Sequence, residues 1–121
     1  MENTIILLGH GSRAACHMPE VAKMVSEMGS VCVRYACLQF CEHDLPSAVD
    51  EAVKDGAWKV IIIPYFLHLG NHMIKDIPAE IDALRNKYPD VKIDLAEHLG
   101  VHPKLAEIVL ERIKEAGDAE K

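Results

Sequence analysis

The sequence predicts an α/β fold built on a parallel sheet, and three observations point to it. Short apolar runs rich in strand formers recur at Thr4 to Leu8, Ser30 to Leu38, Lys59 to Pro64 and Val91 to Ala96. Between and after them lie stretches whose apolar residues recur at helical spacing. Gly, Asp and Pro punctuate the junctions. Strands alternating with helices imply right-handed crossovers that put helices on both faces of the sheet. The expected architecture is βαβαβαβα, a four-stranded parallel sheet in the order 2-1-3-4. Strands 1 and 3 then lie side by side at the switch point, where open α/β sheets bind ligands.

The first run, Thr4 to Leu8, reads as a buried strand ended by Gly9. Pro19 to Met28 reads as a helix with Val21, Met24, Val25 and Met28 on its buried face and Gly29 as its stop. Ser30 to Leu38 is the second strand, and Gln39 to Asp44 its exit loop. Leu45 to Asp55 is the second helix, with Asp44 as N-cap and Gly56 as stop. Trp58 precedes the third strand and reads as a packing residue. The third helix starts at Met73 or Asp76 and runs to Lys87, with Ile77, Ile81 and Leu84 toward the sheet. Asp76 is suited to cap it, and Pro78 to occupy its first turn. Val91 to Ala96 alternates as an edge strand does. Lys104 to Ala116 is the last helix, with Leu105, Ile108, Val109 and Ile113 on a buried face. The tail from Gly117 reads as frayed.

A chain of 121 residues is expected to form one domain across residues 1–121, large enough to bury a core without metal or disulfide staples. Its formal charge of −6 argues against nucleic-acid binding, because no basic stripe is present. The N-terminus shows no secretory pattern, and no apolar run approaches the roughly 18 residues of a membrane span. The cytoplasm is therefore the expected compartment, with no membrane partner. Cys16, Cys32, Cys37 and Cys41 are then expected as reduced thiols. They form no CxxC pair, so zinc is a minor reading even for Cys37 and Cys41.

Two loops carry the chemistry. Gly9-His10-Gly11-Ser12 follows the first strand, and its glycines let backbone approach a ligand closely. His68 and His72 flank Gly70 in the loop between the third strand and its helix. Neutral imidazole binds borderline divalent metals and accepts protons near neutral pH. Two histidines from neighbouring loops would leave coordination positions open, as suits a site that handles a metal. The plainer alternative is that each histidine only satisfies hydrogen bonds in its own loop. His17, His43, His98 and His102 read as surface or capping residues.

Gly9-His10-Gly11-Ser12-Arg13 together with Phe66-Leu67, Gly70, His72 and Asp76-Ile77-Pro78 resembles the small CbiX/SirB-type chelatases. The likeness continues through Leu45 to Ala48 and Leu99 to Pro103 and spans nearly the whole chain. It implies a chelatase-like half-domain that works as a homodimer. It also implies a lyase, a sirohydrochlorin chelatase that inserts a divalent metal into a tetrapyrrole of eight carboxylates without ATP. The metal is substrate, with Co2+ first and Ni2+ or Fe2+ as alternatives, and no prosthetic group is expected. The pathways implied are those of cobalamin and related tetrapyrroles.

By position, His10 and His72 match the family's metal-binding histidines, and His10 its proton acceptor. Leu67, His68, Leu69, Gly70, Asn71 and His72 match its tetrapyrrole-contacting loop, and Glu42 an acidic position after strand 2. Phe66 adds to an apolar wall, Arg13 or Lys75 would pair with the ring carboxylates, and Ser12 is a further candidate site residue. Gln39 departs from the pattern, because many relatives carry glutamate there. Glutamine supplies neither a carboxylate base nor a charged ligand, and Glu42, His43 or His68 would have to compensate.

Two other readings remain open. A carrier would bind metal or tetrapyrrole without turnover. A phosphohistidine enzyme would use His10 as nucleophile, but Gly9 stands where its arginine belongs and a basic cluster for phosphate is lacking.

Overall fold

The computed structural model describes residues 3–11, 17–39 and 41–119. The elements follow in the expected alternation: β1 (Asn3–Gly9), α1 (Met18–Gly29), β2 (Cys32–Cys37), α2 (Leu45–Lys54), β3 (Lys59–Pro64), α3 (Asn71–Lys87), β4 (Lys92–Leu95) and α4 (Pro103–Ala119). The strands pair in parallel in the order β2-β1-β3-β4, as the sequence predicts. Among the described residues, no helix is long and apolar enough to cross a membrane.

The two faces of the sheet are set by the twofold alternation of strand side chains. Ile6 and Leu8 of β1, with Val60 and Ile62 of β3, pack against Val49 and Ala52 of α2 and Ile77, Ile81 and Leu84 of α3. Leu7 points the other way, into a smaller cluster with Met18 and Ala22 of α1. α1 packs over β2 and β1. On that same side of β3, Ile61 and Ile63 remain only half-buried.

Several expectations change. The buried stripe of α1 is Met18 and Ala22, flanked by half-buried Val21 and Val25. Met24 and Met28 are 59% and 85% exposed. Met24 is rotated about 100° from Val25, off the stripe, and Met28 sits in the last turn. Gly29 is still helical; the left-handed cap is Ser30, with φ of 51°.

α3 begins at Asn71 instead of Met73 or Asp76. Gly70 takes the extended N-cap geometry, and the Ile74 N–H closes the first turn on the Gly70 carbonyl at 3.1 Å. Pro78 therefore lies inside the helix, where it removes the bond to the Ile74 carbonyl.

Cys37 and Cys41 are joined as a disulfide, with Cα atoms 6.0 Å apart, and are not the reduced thiols expected. The cause is local. The Cys37 N–H donates to the His43 carbonyl at 2.8 Å, which folds the exit loop of β2 back on itself.

The largest correction concerns α4. Its Ile108, Val109 and Ile113, expected to be buried, are 43%, 57% and 62% exposed, and only Leu105 is half-buried. The stripe has the right spacing, but the helix leaves the body of the chain and packs on neither face of its own sheet.

Candidate active site

The register of the sheet brings the two histidine loops together. Gly9 ends β1 opposite Cys37 of β2, and Leu8 lies opposite Pro64 of β3. All three exits open at the C-terminal edge, where strand order reverses. The Leu8 carbonyl accepts from the Tyr65 N–H at 2.7 Å, which ties the start of the histidine loop after β3 to β1. The Leu38 and Gln39 N–H groups donate to the Gly9 and His10 carbonyls at 2.9 and 3.1 Å. Gly11 has φ of 93°, and a Cβ there would fall 1.7 Å from the Gln39 carbonyl oxygen. Only glycine permits this approach of the two loops.

His10 is exposed and held from two sides. Its Nδ1 is 3.1 Å from the Gly11 carbonyl, a distance at which the ring N–H donates. That tautomer leaves the Nε2 lone pair free, and the Gln39 amide nitrogen stands 3.1 Å from Nε2 and 3.4 Å from Nδ1, against the face of the ring. The residue that departs from the family pattern thus touches the first candidate ligand. The sequence gives no sign of this contact, because it depends on the register of β1 against β2.

His68 is exposed in the loop, and His72 is exposed in the first turn of α3. Leu67 is 57% exposed, so its side chain is available to a ligand. Phe66, Leu69 and Met73 instead pack partly onto the core. Gly70 and Asn71 are exposed where the loop becomes helix, and Glu42 is exposed after β2. Ser12 and Arg13 lie outside the described residues. Among those described, no group of three or more His, Cys, Asp or Glu side chains is arranged to hold a metal. The histidines would thus share a metal's shell with solvent or substrate.

The remaining histidines divide. His43 packs edge-on to Tyr35, with centroids 5.1 Å apart, and is engaged in packing. His17 pairs with Glu20 at 3.2 Å. His102 Nδ1 accepts from the Lys104 N–H at 3.0 Å at the start of α4, as a capping residue does. His98 is more than a surface residue. Its ring lies over Gly100 and lines an apolar cleft of about 210 Å³ with Pro64, Leu69, Met73 and Ile77. The Leu99 N–H donates to the Phe66 carbonyl at 3.0 Å, so this loop braces the histidine loop. A larger cavity, about 390 Å³, lies among Thr4, Cys32, Arg34 and Asp55, at the opposite end of the strands. There Arg34 is paired with Asp55 and is not presented to a ligand.

The CbiX family model matches residues 4–116. The chain belongs to the CbiX family. It is 33% identical to the sirohydrochlorin cobaltochelatase of Methanopyrus kandleri over 93% of this chain and 95% of that one. A CbiX protein of Marinobacter aquaeolei, described as a putative cobalamin biosynthesis protein, has a solved structure that superposes with a TM-score of 0.80 at 30% identity. The match covers 97% of this chain and 98% of that one. SirB of Bacillus subtilis, solved with Fe3+, gives the same TM-score at 27% identity. There this CbiX-family chain covers 97% of its own length and 48% of SirB. It corresponds in extent to one whole small relative and to about half of a long one.

Proposed function

We propose that this chain is a sirohydrochlorin chelatase, a lyase that inserts a divalent metal into the tetrapyrrole without ATP. The observation that carries the reading is the placing of His10 and the loop through His72 at the adjoining exits of β1 and β3, within a near full-length CbiX match. Residues 1–121 act as one chelatase unit, and the cytoplasm is the compartment. Co2+ is the favoured substrate metal, with Ni2+ and Fe2+ as alternatives, and the product feeds synthesis of cobalamin or a related tetrapyrrole.

His10 and His72 hold the incoming ion through imidazole nitrogens, with water in the remaining positions. The Gln39 amide lies against the ring, off the Nε2 lone pair, and leaves that nitrogen open to the ion. Insertion forms metal bonds to the pyrrole nitrogens and releases two pyrrole protons; as the ion passes to the ring, the freed Nε2 of His10 accepts one and solvent water takes the other. Leu67 to His72, with Phe66 beneath, forms the wall on which the ring rests. Glu42 contributes an acidic group near the ring, and Ser12, Arg13 and Lys75 pair with its carboxylates. His68 is a further contact.

The exposed stripe of α4 and the half-open side of the sheet support a homodimer. A 17-residue helix with an aliphatic stripe gains its stability from packing. A second copy offers the stripe a surface of the right kind, the side of β3 bearing Ile61 and Ile63. Each buried aliphatic side chain contributes about 1.5–3 kcal/mol.

Visible spectra of sirohydrochlorin, taken without oxygen and with Co2+, Ni2+ or Fe2+ separately, test the function against a protein-free control. Accelerated insertion is expected, and the fastest metal names the substrate. Binding of metal and tetrapyrrole without acceleration would favour a carrier, a reading that the neutral Gln39 amide beside His10 supports.

A further inference from the structure

His10 is exposed, yet its backbone is tied to that of Gln39 before either side chain is placed. The Leu38 and Gln39 N–H groups donate to the Gly9 and His10 carbonyls. Gly11 runs so near the Gln39 carbonyl oxygen that a side chain there would collide with it. The two side chains then meet. The Gln39 amide nitrogen is 3.1 Å from His10 Nε2 and 3.4 Å from Nδ1. A point in the plane of the ring at those two distances would overlap the Cε1 carbon. The amide therefore lies over the face of the imidazole, where an N–H meets the electron-rich side of an aromatic ring. At the edge of the same ring, Nδ1 is 3.1 Å from the Gly11 carbonyl.

We propose that Gln39 is a positioning residue for His10: its amide, donated to the face of the imidazole, holds the ring plane and so gives the Nε2 lone pair one direction. The bond at the Nδ1 edge alone leaves the ring able to swing about the line from Nδ1 to the carbonyl. A second partner on the face removes that freedom.

An ion binds imidazole in the plane of the ring, along the lone pair, and a proton arrives there too. An exposed side chain that samples several rotamers must be ordered when the ion arrives, at a cost in entropy. A ring already held in plane has met that cost, which is the advantage of preorganisation. A single N–H to ring-face contact is weak. Here the donor is carried on a backbone that is fixed for other reasons, so little further ordering is needed to make it. The amide brings no charge to the site and leaves Nε2 open. The role rests on the reading of His10 as a metal ligand; the contact itself does not.

Gln39 is the only glutamine in the chain, so isotope-labelled glutamine gives one side-chain amide signal from the full protein. Protons over the face of an aromatic ring resonate upfield. The Gln39 amide pair should be shifted in that direction and return to the ordinary position in H10A. Q39M keeps the chain length and the backbone bond to His10 but has no amide. Q39N keeps the amide on a stem one methylene too short to reach the ring face. Both should lower Co2+ affinity about threefold in calorimetric titration. Their thermal midpoints should stay near wild type, because the side chain is exposed. An amide signal at the same position in wild type and H10A would overturn the proposal, as would wild-type Co2+ affinity in Q39M. If Q39M weakens Co2+ binding while the wild-type protein never metallates sirohydrochlorin, the positioning role stands and the chelatase reading falls.

Discussion

At His10 the two proposed roles, metal ligand and proton acceptor, fall on one nitrogen. Its Nδ1 is engaged with the Gly11 carbonyl, which leaves Nε2 for both, and the Gln39 amide lies against the ring. On the proposed reading, removing the ring takes away the metal ligand and the proton acceptor together. H10A should therefore slow insertion by about 100-fold or more, with weaker Co2+ binding in calorimetric titration. On the same reading His72 only holds the ion, so H72A should lower Co2+ affinity most. Both side chains are exposed, so the thermal midpoint should stay near wild type. Gln39→Glu should act in the opposite direction on binding. A carboxylate beside the imidazole adds a charged ligand, and Co2+ affinity should rise, whereas Q39E with unchanged affinity would place this side chain outside the metal's reach. The two histidines were legible because strand ends, glycines and imidazoles stand in a recognisable order along the chain. The Gln39 contact was not, since the two residues meet only through the parallel register of β1 and β2.

The helices next to the site carry a pH dependence of the fold. Asp44 caps α2, accepting the Ser47 N–H at 2.9 Å. The Ser47 hydroxyl, and then this N–H, hold its carboxyl below the ordinary aspartate range. A depressed carboxylate stabilises the fold above its unfolded value and loses that contribution as the pH falls through the folded one. D44A should cost about 1 kcal/mol at neutral pH, and the difference from wild type should vanish in strong acid. Glu80 of α3 behaves oppositely. Burial, then Asp44 and Asp76, push its carboxyl up. A raised carboxylate favours the fold below its unfolded value, and that contribution is lost as the pH rises through the folded one. E80Q should therefore raise the denaturation midpoint at neutral pH and leave it unchanged in acid. Spacing and caps made α2 and α3 legible as helices. The start of α3 was misplaced because Asp76-Ile77-Pro78 imitates an N-terminus, while Gly70 closes the actual first turn through backbone alone.

Over the whole molecule, strand order and the ends of three strands followed from alternation and switch-point logic. The position of α4 did not. Periodicity reports that a helix has an apolar side, and nothing in it reports which surface that side meets. In this chain Ile108, Val109 and Ile113 face outward, while the α1 side of β3 leaves Ile61 and Ile63 half-open. Both mismatches disappear if α4 lies on the sheet of a second copy. Sedimentation equilibrium should then give twice the chain mass. I108E, which puts a charge in the middle of the stripe, should give the monomer with a nearly unchanged far-ultraviolet spectrum, because the sheet, α1, α2 and α3 do not depend on that face. A wild-type monomer at micromolar concentration would refute the docking of α4 on a second copy. Insertion by the I108E monomer then decides what the second copy does for the site. Retained rate would mean that each CbiX unit is complete, and a lost rate, with His10 still able to bind Co2+, would mean that the ring is held between two units.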